Sequence, residues 1–218
     1  MIIVKPQVIV EKWNPEALKN IERYGRVCYK SEDKITDRSN IPFAEMLLER
    51  GHESVTEHEH VTVRFIIDRG VSHELVRHRL ASFSQESTRY CNYGKDKFDS
   101  QIRVIQPPGL SDTLETEWIM LMRSIERTYI YMLNQGVSPQ IARSVLPTCL
   151  KTEIVVTANL REWRHVLKLR TSKAAHPQMR QVMVPLLRWF QYHVPVLFEP
   201  ITALPVEDAA EVSESKVA

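Results

Sequence analysis

The stretch Val61-Thr62-Val63-Arg64-Phe65-Ile66-Ile67 puts Val61, Val63, Phe65 and Ile67 on one side and Thr62, Arg64 and Ile66 on the other. A period of two with one apolar face predicts a strand with a buried side, ending at Asp68-Arg69-Gly70. The β-branched run Ile154-Val155-Val156-Thr157, inside Leu150 to Ala158, predicts a second buried strand. A third is expected over Ile2 to Trp13, where Pro6 confines part of the run to an edge or an irregular start.

Helices are expected around these strands. Asn14 offers an N-cap and Pro15 a first turn for a helix to about Lys30, with Leu18, Ile21 and Cys28 on its apolar face and Gly25 as a weak point. Pro42 to Arg50 stops at Gly51, and a helix capped by Ser72 carries the chain to Arg77-His78-Arg79. The long helix from Asp112 to near Gly136 repeats Leu114, Trp118, Leu121, Ile125, Tyr129 and Met132 at three- and four-residue spacing, and its aromatics read as core. Helices also fit Asn159 to Arg170 and the segment from Pro177, with Val182, Met183, Leu186, Leu187 and Phe190 as the buried side of the latter.

With 43% hydrophobic and 26% charged residues, the 218-residue chain reads as one compact unit over residues 1–205. Residues 206–218 are Glu-, Ala- and Ser-rich and are expected to form a mobile acidic tail. A net charge of +2 is too small for a bulk nucleic-acid binder, so any anion site must come from local clustering. Cys28, Cys91 and Cys149 are widely spaced and odd in number, which fits a reducing compartment and a cytoplasmic protein. No stretch approaches the ~18 apolar residues of a membrane span.

The local clustering is found at Arg77-His78-Arg79-Leu80-Ala81-Ser82-Phe83-Ser84-Gln85-Glu86-Ser87-Thr88-Arg89-Tyr90. Three guanidiniums, an imidazole, three serine hydroxyls and a carboxylate share this segment. Residues two apart on a helix do not face one another, so Arg77 and Arg79 are expected to serve different partners. The six glycines are all far apart, which rules out a GxGxxG fingerprint and a P-loop. A bound nucleotide must then be held by side chains, for which Arg77, Arg79, Arg89, Arg143, Arg161 and Arg170 are available.

Arg170 stands out among them. Trp163, Val166, Leu167 and Arg170 lie at i, i+3, i+4 and i+7, which turns this guanidinium toward the apolar stripe. It requires a carboxylate, a cage of carbonyls or a ligand. The segment from Gly51 to His60 holds His52, His58 and His60 with three carboxylates, but Thr56 stands where a zinc-protease pattern needs its second histidine. No further ligand set is evident, and no metal is expected. Cys149 reads as a small buried hydrophobe, and Ser87, amid arginines, suits a phosphate better than nucleophilic attack.

Arg77-His78-Arg79, seven residues, Ser87 and then Arg89-Tyr90 closely resemble the signature of the flavin-dependent thymidylate synthases. Gly51-His52-Glu53-Ser54 with Glu57-His58, Ala142-Arg143-Ser144-Val145-Leu146-Pro147, and Asn159-Leu160-Arg161 leading to Leu169-Arg170 strengthen the resemblance, which covers roughly Pro42 to Phe198. It implies an α+β fold of antiparallel sheet packed with helices, assembled as a homotetramer with FAD at subunit interfaces. The implied activity makes thymidylate from deoxyuridylate (dUMP), with 5,10-methylenetetrahydrofolate as carbon donor and NADPH as reductant of the flavin. By matching position, Ser54, Arg77, His78, Arg79, Glu86, Asn159, Arg161 and His165 would contact the flavin. Glu74, Arg77, Glu86, Ser87, Arg89, Arg143 and Arg170 would surround dUMP, with Arg170 as the catalytic cation beside the uracil ring. Glu74 replaces a Gln of some relatives, and His165 an Asn. Two other readings remain open: a non-catalytic nucleotide- or RNA-binding module with Tyr90 and Tyr93 as stacking platforms, and a metal hydrolase built on His52, His58 and His60.

Overall fold

The computed structural model describes residues 1–215. In chain order, β1 (Ile2–Ile3), β2 (Gln7–Lys12), α1 (Ala17–Tyr29), α2 (Asn40–Glu49), β3 (His60–Asp68), α3 (Arg69–Leu75) and β4 (Ala81–Gln85) are followed by β5 (Arg103–Val104). Then come α4 (Asp112–Asn134), α5 (Pro139–Ala142), β6 (Lys151–Asn159), α6 (Leu160–Arg170), α7 (Pro177–His193), α8 (Pro195–Phe198) and β7 (Glu211–Glu214). The main sheet runs β4-β6-β3-β2-β7. Its first four strands are antiparallel neighbours, and β7 joins β2 in parallel, so the α+β expectation holds with one mixed edge.

The alternation that marks β3 becomes burial. Val61, Val63, Phe65 and Ile67 are at most 3% exposed, and Ile154, Val156 and Ala158 of β6 lie beside them. Each such side chain contributes roughly 1.5–3 kcal/mol by leaving water. Helices α6 and α7 cover this face with Trp163, Val166, Leu167, Val182, Met183, Leu186, Leu187 and Phe190, all buried. The Trp163 indole N–H donates to the Val61 carbonyl at 3.0 Å, which pins α6 to β3.

Several expectations are corrected. Ile2 to Trp13 is two strands: β1 pairs with β5, and β2 pairs with β3 on the far side of Pro6, which has no N–H to give to a ladder. The Cys28 of α1 is exposed, and the helix instead packs through Ile21 and Gly25. Gly25 is less a weak point than a close approach, since a Cβ there would meet the Phe43 ring at 2.6 Å. Helix α3 begins at Arg69, with Gly70 inside it. Its cap is Asp68, whose Oδ1 accepts from the Val71 N–H at 2.8 Å, and not Ser72. Such a cap contributes about 1 kcal/mol.

Helix α4 covers a second, smaller core of Tyr93, Ile102, Val104, Met122, Tyr129, Ala142 and Leu150. Tyr129 is fully buried, as its spacing implied, and Trp118, Ile125 and Met132 pack on this core. Leu114 and Leu121, each 57% exposed, do not belong to it. The tail expected from Val206 is docked in part. Glu211–Glu214 run beside Gln7–Val10, and the Ala210 N–H donates to the Gln181 carbonyl. Residues 216–218 of that expected tail lie outside the described residues.

Candidate active site

The Arg77-to-Tyr90 stretch does not form one cluster. Helix α3 ends at Leu75, the chain turns through Arg77 to Leu80, and β4 then carries it along the edge of β6. Five strand residues span roughly 17 Å, so the groups before and after β4 occupy two separate places.

The first place is built on α3 and α6. His78 is 6% exposed, whereas the side chains of Arg77 and Arg79 are exposed and make no hydrogen bond among the described residues. The segment is a turn after Leu75 and not the expected helix, and it buries the middle residue of the three. Arg170 points inward as its spacing implied, and its partners are now visible. Its Nε–H donates to His78 Nε2 at 2.9 Å, Nη1–H to Glu74 Oε2 at 2.7 Å and Nη2–H to the Glu74 carbonyl at 3.0 Å. Glu162, also buried, lies 3.7 Å from His78 Nδ1, and the His165 ring stands 5.8 Å from that of His78. Burial, then the nearby Arg170 charge and His165, lower the pKa of His78 to about 4, so the imidazole is neutral at pH 7. Burial raises the Glu162 carboxyl.

Outside this buried group runs a groove of about 730 Å³ lined by Asn159, Arg161, His165 and Lys168 on one side and Glu53 and Glu57 on the other. A smaller hollow of about 300 Å³ shares Leu80 and Asn159 with it and adds Arg79, Ser82 and His60. The position of Asn159 follows from its role as N-cap of α6, in which Oδ1 accepts from the Glu162 N–H at 2.8 Å and the amide NH2 has no partner among the described residues. Arg161 bonds Glu57 and faces Glu53, but exposed pairs of this kind contribute little and exchange readily for another anion. Ser54 sits exposed on the short turn Glu53–His58.

The second place lies beyond β4. Arg143, exposed at the end of α5, donates to the Thr88 hydroxyl at 3.3 Å, and the Ser87 hydroxyl accepts from the Arg89 N–H at 3.3 Å. Glu86 is already engaged: its carboxylate accepts from the Tyr93 hydroxyl at 2.7 Å and from Lys151 Nζ at 3.0 Å. It faces a cleft of about 470 Å³ that Lys97, Phe98 and Arg103 also line. Burial and Glu86 together push the Tyr93 phenol up, and a buried phenol is no stacking platform. Tyr90, in contrast, is 79% exposed.

The sequence did not single out Glu162, Lys151 or the bonding role of Tyr93. The three histidines of the Gly51 segment are not gathered: His52 bonds the Tyr29 hydroxyl, and His58 stands edge-on to Tyr24. Among the described residues, the group of possible ligand atoms that does lie together is His78, Glu162 and His165. Burial raises the Cys149 thiol to about 11, which leaves it without thiolate character at pH 7.

A family model described as "Thymidylate synthase complementing protein" matches residues 8–196. A flavin-dependent thymidylate synthase of Corynebacterium aurimucosum is 31% identical over 229 residues, covering 96% of this chain and 90% of that protein. One from Mycobacterium avium is 32% identical over 218 residues, covering 91% and 85%. The crystal structure of a UMP/dUMP methylase from Streptomyces cacaoi, bound with 5-Br dUMP, is similar with a TM-score of 0.78 at 22% identity, covering 91% of this chain and 96% of that one. Thymidylate synthase X from Helicobacter pylori, with FAD and dUMP, gives 0.74 at 21% identity, covering 90% and 98%. At these identities the two structures speak for the fold alone. The match over most of the chain and the identity to full-length relatives place this chain in the family of flavin-dependent thymidylate synthases.

Proposed function

We propose that this chain converts dUMP to thymidylate, with 5,10-methylenetetrahydrofolate as carbon donor and NADPH as the source of reducing equivalents. The observation that carries the reading is the Arg170 guanidinium, fixed by Glu74 and by His78, which in turn lies beside Glu162 and His165, two residues that line the groove with Asn159 and Arg161.

The groove fits an anionic dinucleotide. Arg161, Lys168 and His165 supply positive or hydrogen-bonding groups, the Asn159 amide has donors without a partner among the described residues, and Arg79 stands in the adjoining hollow. With Ser54 on the turn that follows Glu53, these residues would hold FAD, which supplies the transfer of reducing equivalents from NADPH. The protein's own part is to bind, to orient and to present charge. Three of the five guanidinium N–H groups of Arg170 are held by this chain, which leaves two for a ligand. A fixed donor pair of this kind stabilises negative charge developing on a uracil ring, without reorganisation at the moment of reaction. Cys149, with its raised thiol, is not asked to attack the base.

Ser87, Arg89 and Arg143 suit the phosphate of dUMP, with the Glu86 segment that carries them anchored by Tyr93 and Lys151. They lie a strand's length from Arg170, so one dUMP touching both groups needs the second group from another copy of the chain. This separation supports a homotetramer with its sites at subunit interfaces. The unpaired cysteines support a cytoplasmic setting, and among the described residues no helix is long and apolar enough to cross a membrane. No nucleic acid is needed as a partner.

The test is the visible spectrum of the protein loaded with FAD, followed anaerobically on adding NADPH with and without dUMP, and then assayed for thymidylate with the folate. Bleaching and folate-dependent product are expected. A protein that neither binds nor reduces FAD overturns the reading.

A further inference from the structure

His78 is buried between two residues of one helix, and its two ring nitrogens face different partners. On one side Arg170 Nε, which can only donate, lies 2.9 Å from Nε2. Nε2 must therefore carry a lone pair, and the ring proton belongs on Nδ1. On the other side Glu162 Oε1 lies 3.7 Å from Nδ1. This is too long for a hydrogen bond, but near enough for a carboxylate to favour a proton there. Glu74, from α3, closes the far end of the guanidinium through its carboxylate and its carbonyl. Three acceptors from two residues thus fix one arginine.

We infer that His78 is a positioning residue for Arg170: its Nδ1–H tautomer, biased by Glu162, presents Nε2 as the acceptor that fixes the direction of the guanidinium's two free N–H groups. The inference rests on the proposed reaction and assigns His78 a task distinct from contact with the flavin. An arginine held only by Glu74 could swing about its long side chain, because Glu74 is 39% exposed and anchors one end alone. With His78 accepting at Nε, the plane of the guanidinium is defined by contacts at all three nitrogens. Orientation of this kind is realised in the rate of the chemical step more than in binding, and a misplacement of about 1 Å can cost on the order of 100-fold.

Glutamine and asparagine separate this role from bulk or polarity. The Gln amide oxygen reaches the place of Nε2 and can accept from Arg170, whereas the shorter Asn side chain reaches only the place of Nδ1. The experiment compares wild type, His78→Gln and His78→Asn as FAD-loaded protein, measuring flavin content, flavin reduction by NADPH, and kcat and KM for dUMP. The expected result is kcat within about fivefold of wild type for His78→Gln and about 100-fold lower for His78→Asn, with KM and flavin reduction little changed in both. Equal losses in the two variants, or a loss confined to flavin content or flavin reduction, overturn the positioning role. A wild-type protein that makes no thymidylate fails the proposed reaction itself, which is a separate outcome read before either variant.

Discussion

The Tyr93 hydroxyl donates to Glu86 Oε1 at 2.7 Å, across a loop whose sequence gives no sign that its two ends meet. With Lys151 on Oε2, this bond spends the Glu86 carboxylate on holding the segment that bears Ser87 and Arg89. Tyr93→Phe removes one buried donor from a carboxylate and should cost about 1–3 kcal/mol, read as a lower urea midpoint. KM for dUMP should rise while flavin content stays constant. An unchanged KM would separate the loop's order from nucleotide binding.

Arg170→Ala should abolish thymidylate formation while leaving FAD bound, and full activity in that variant would remove Arg170 from the mechanism. Arg170→Lys should fail nearly as badly, since an ammonium cannot serve His78 and both acceptors of Glu74 in the geometry of a planar fork. The checks are product formation and the flavin absorbance of the same samples.

Stability should fall in acid through His78. Its pKa of about 4 in the fold lies below the ~6.5 of an unfolded chain, so the unfolded state takes up the proton first. The contribution is complete above pH 6.5, erodes as pH falls toward 4 and changes no further below that. The total is on the order of 3 kcal/mol, with Arg170, Glu162 and His165 as the charged or titratable groups facing the ring. Urea unfolding from pH 7.5 to 4 should show a shallower decline in His78→Gln than in wild type. Identical slopes would remove His78 as the cause.

Cys149→Ala should keep its activity, with at most a modest loss of stability where the sulfur packs against Met122. Alkylation of Cys149 at pH 8 should be slow, given a thiol raised to about 11 by burial. A folded but inactive variant would return the cysteine to consideration as a nucleophile.

If the sites are shared between copies, as proposed, complementation is expected. Arg170→Ala and Arg143→Ala chains, each inactive alone, should recover about a quarter of wild-type activity when refolded together in equal amounts, the fraction expected if intact halves assort at random. No recovery, with mixed oligomers present on a native gel, would place both residues in one chain's site.

The parts of the fold that were legible in the sequence are those where period and burial coincide. The alternation of Val61 to Ile67 and the i, i+3, i+4, i+7 spacing of Trp163 to Arg170 each describe one element against one core face, and both are realised. Strand β4 was not legible, because Ala81-Ser82-Phe83-Ser84-Gln85 has a single strong strand former and is extended through its ladder with β6. The inward turn of Arg170 could be deduced, but not its partner Glu74, 96 positions away. Glu162 is a first-turn acid of α6, and nothing in the sequence ties it to His78, which another element packs over it. The acidic composition after Pro205 concealed a strand for a similar reason. Val212 packs on the main core, and Glu214 bonds the Trp189 indole and His193, but these contacts need α7 to be in place first.

That last strand has a bearing on how the protein can be handled. A chain ended at Pro205 would lay bare the outer amides and carbonyls of Gln7–Val10, which β7 now pairs. An unguarded edge beside so apolar a strand invites other chains to add to it. Trimming the acidic terminus to tidy the molecule would thus trade a well-behaved protein for one prone to aggregate, with its catalytic groups untouched.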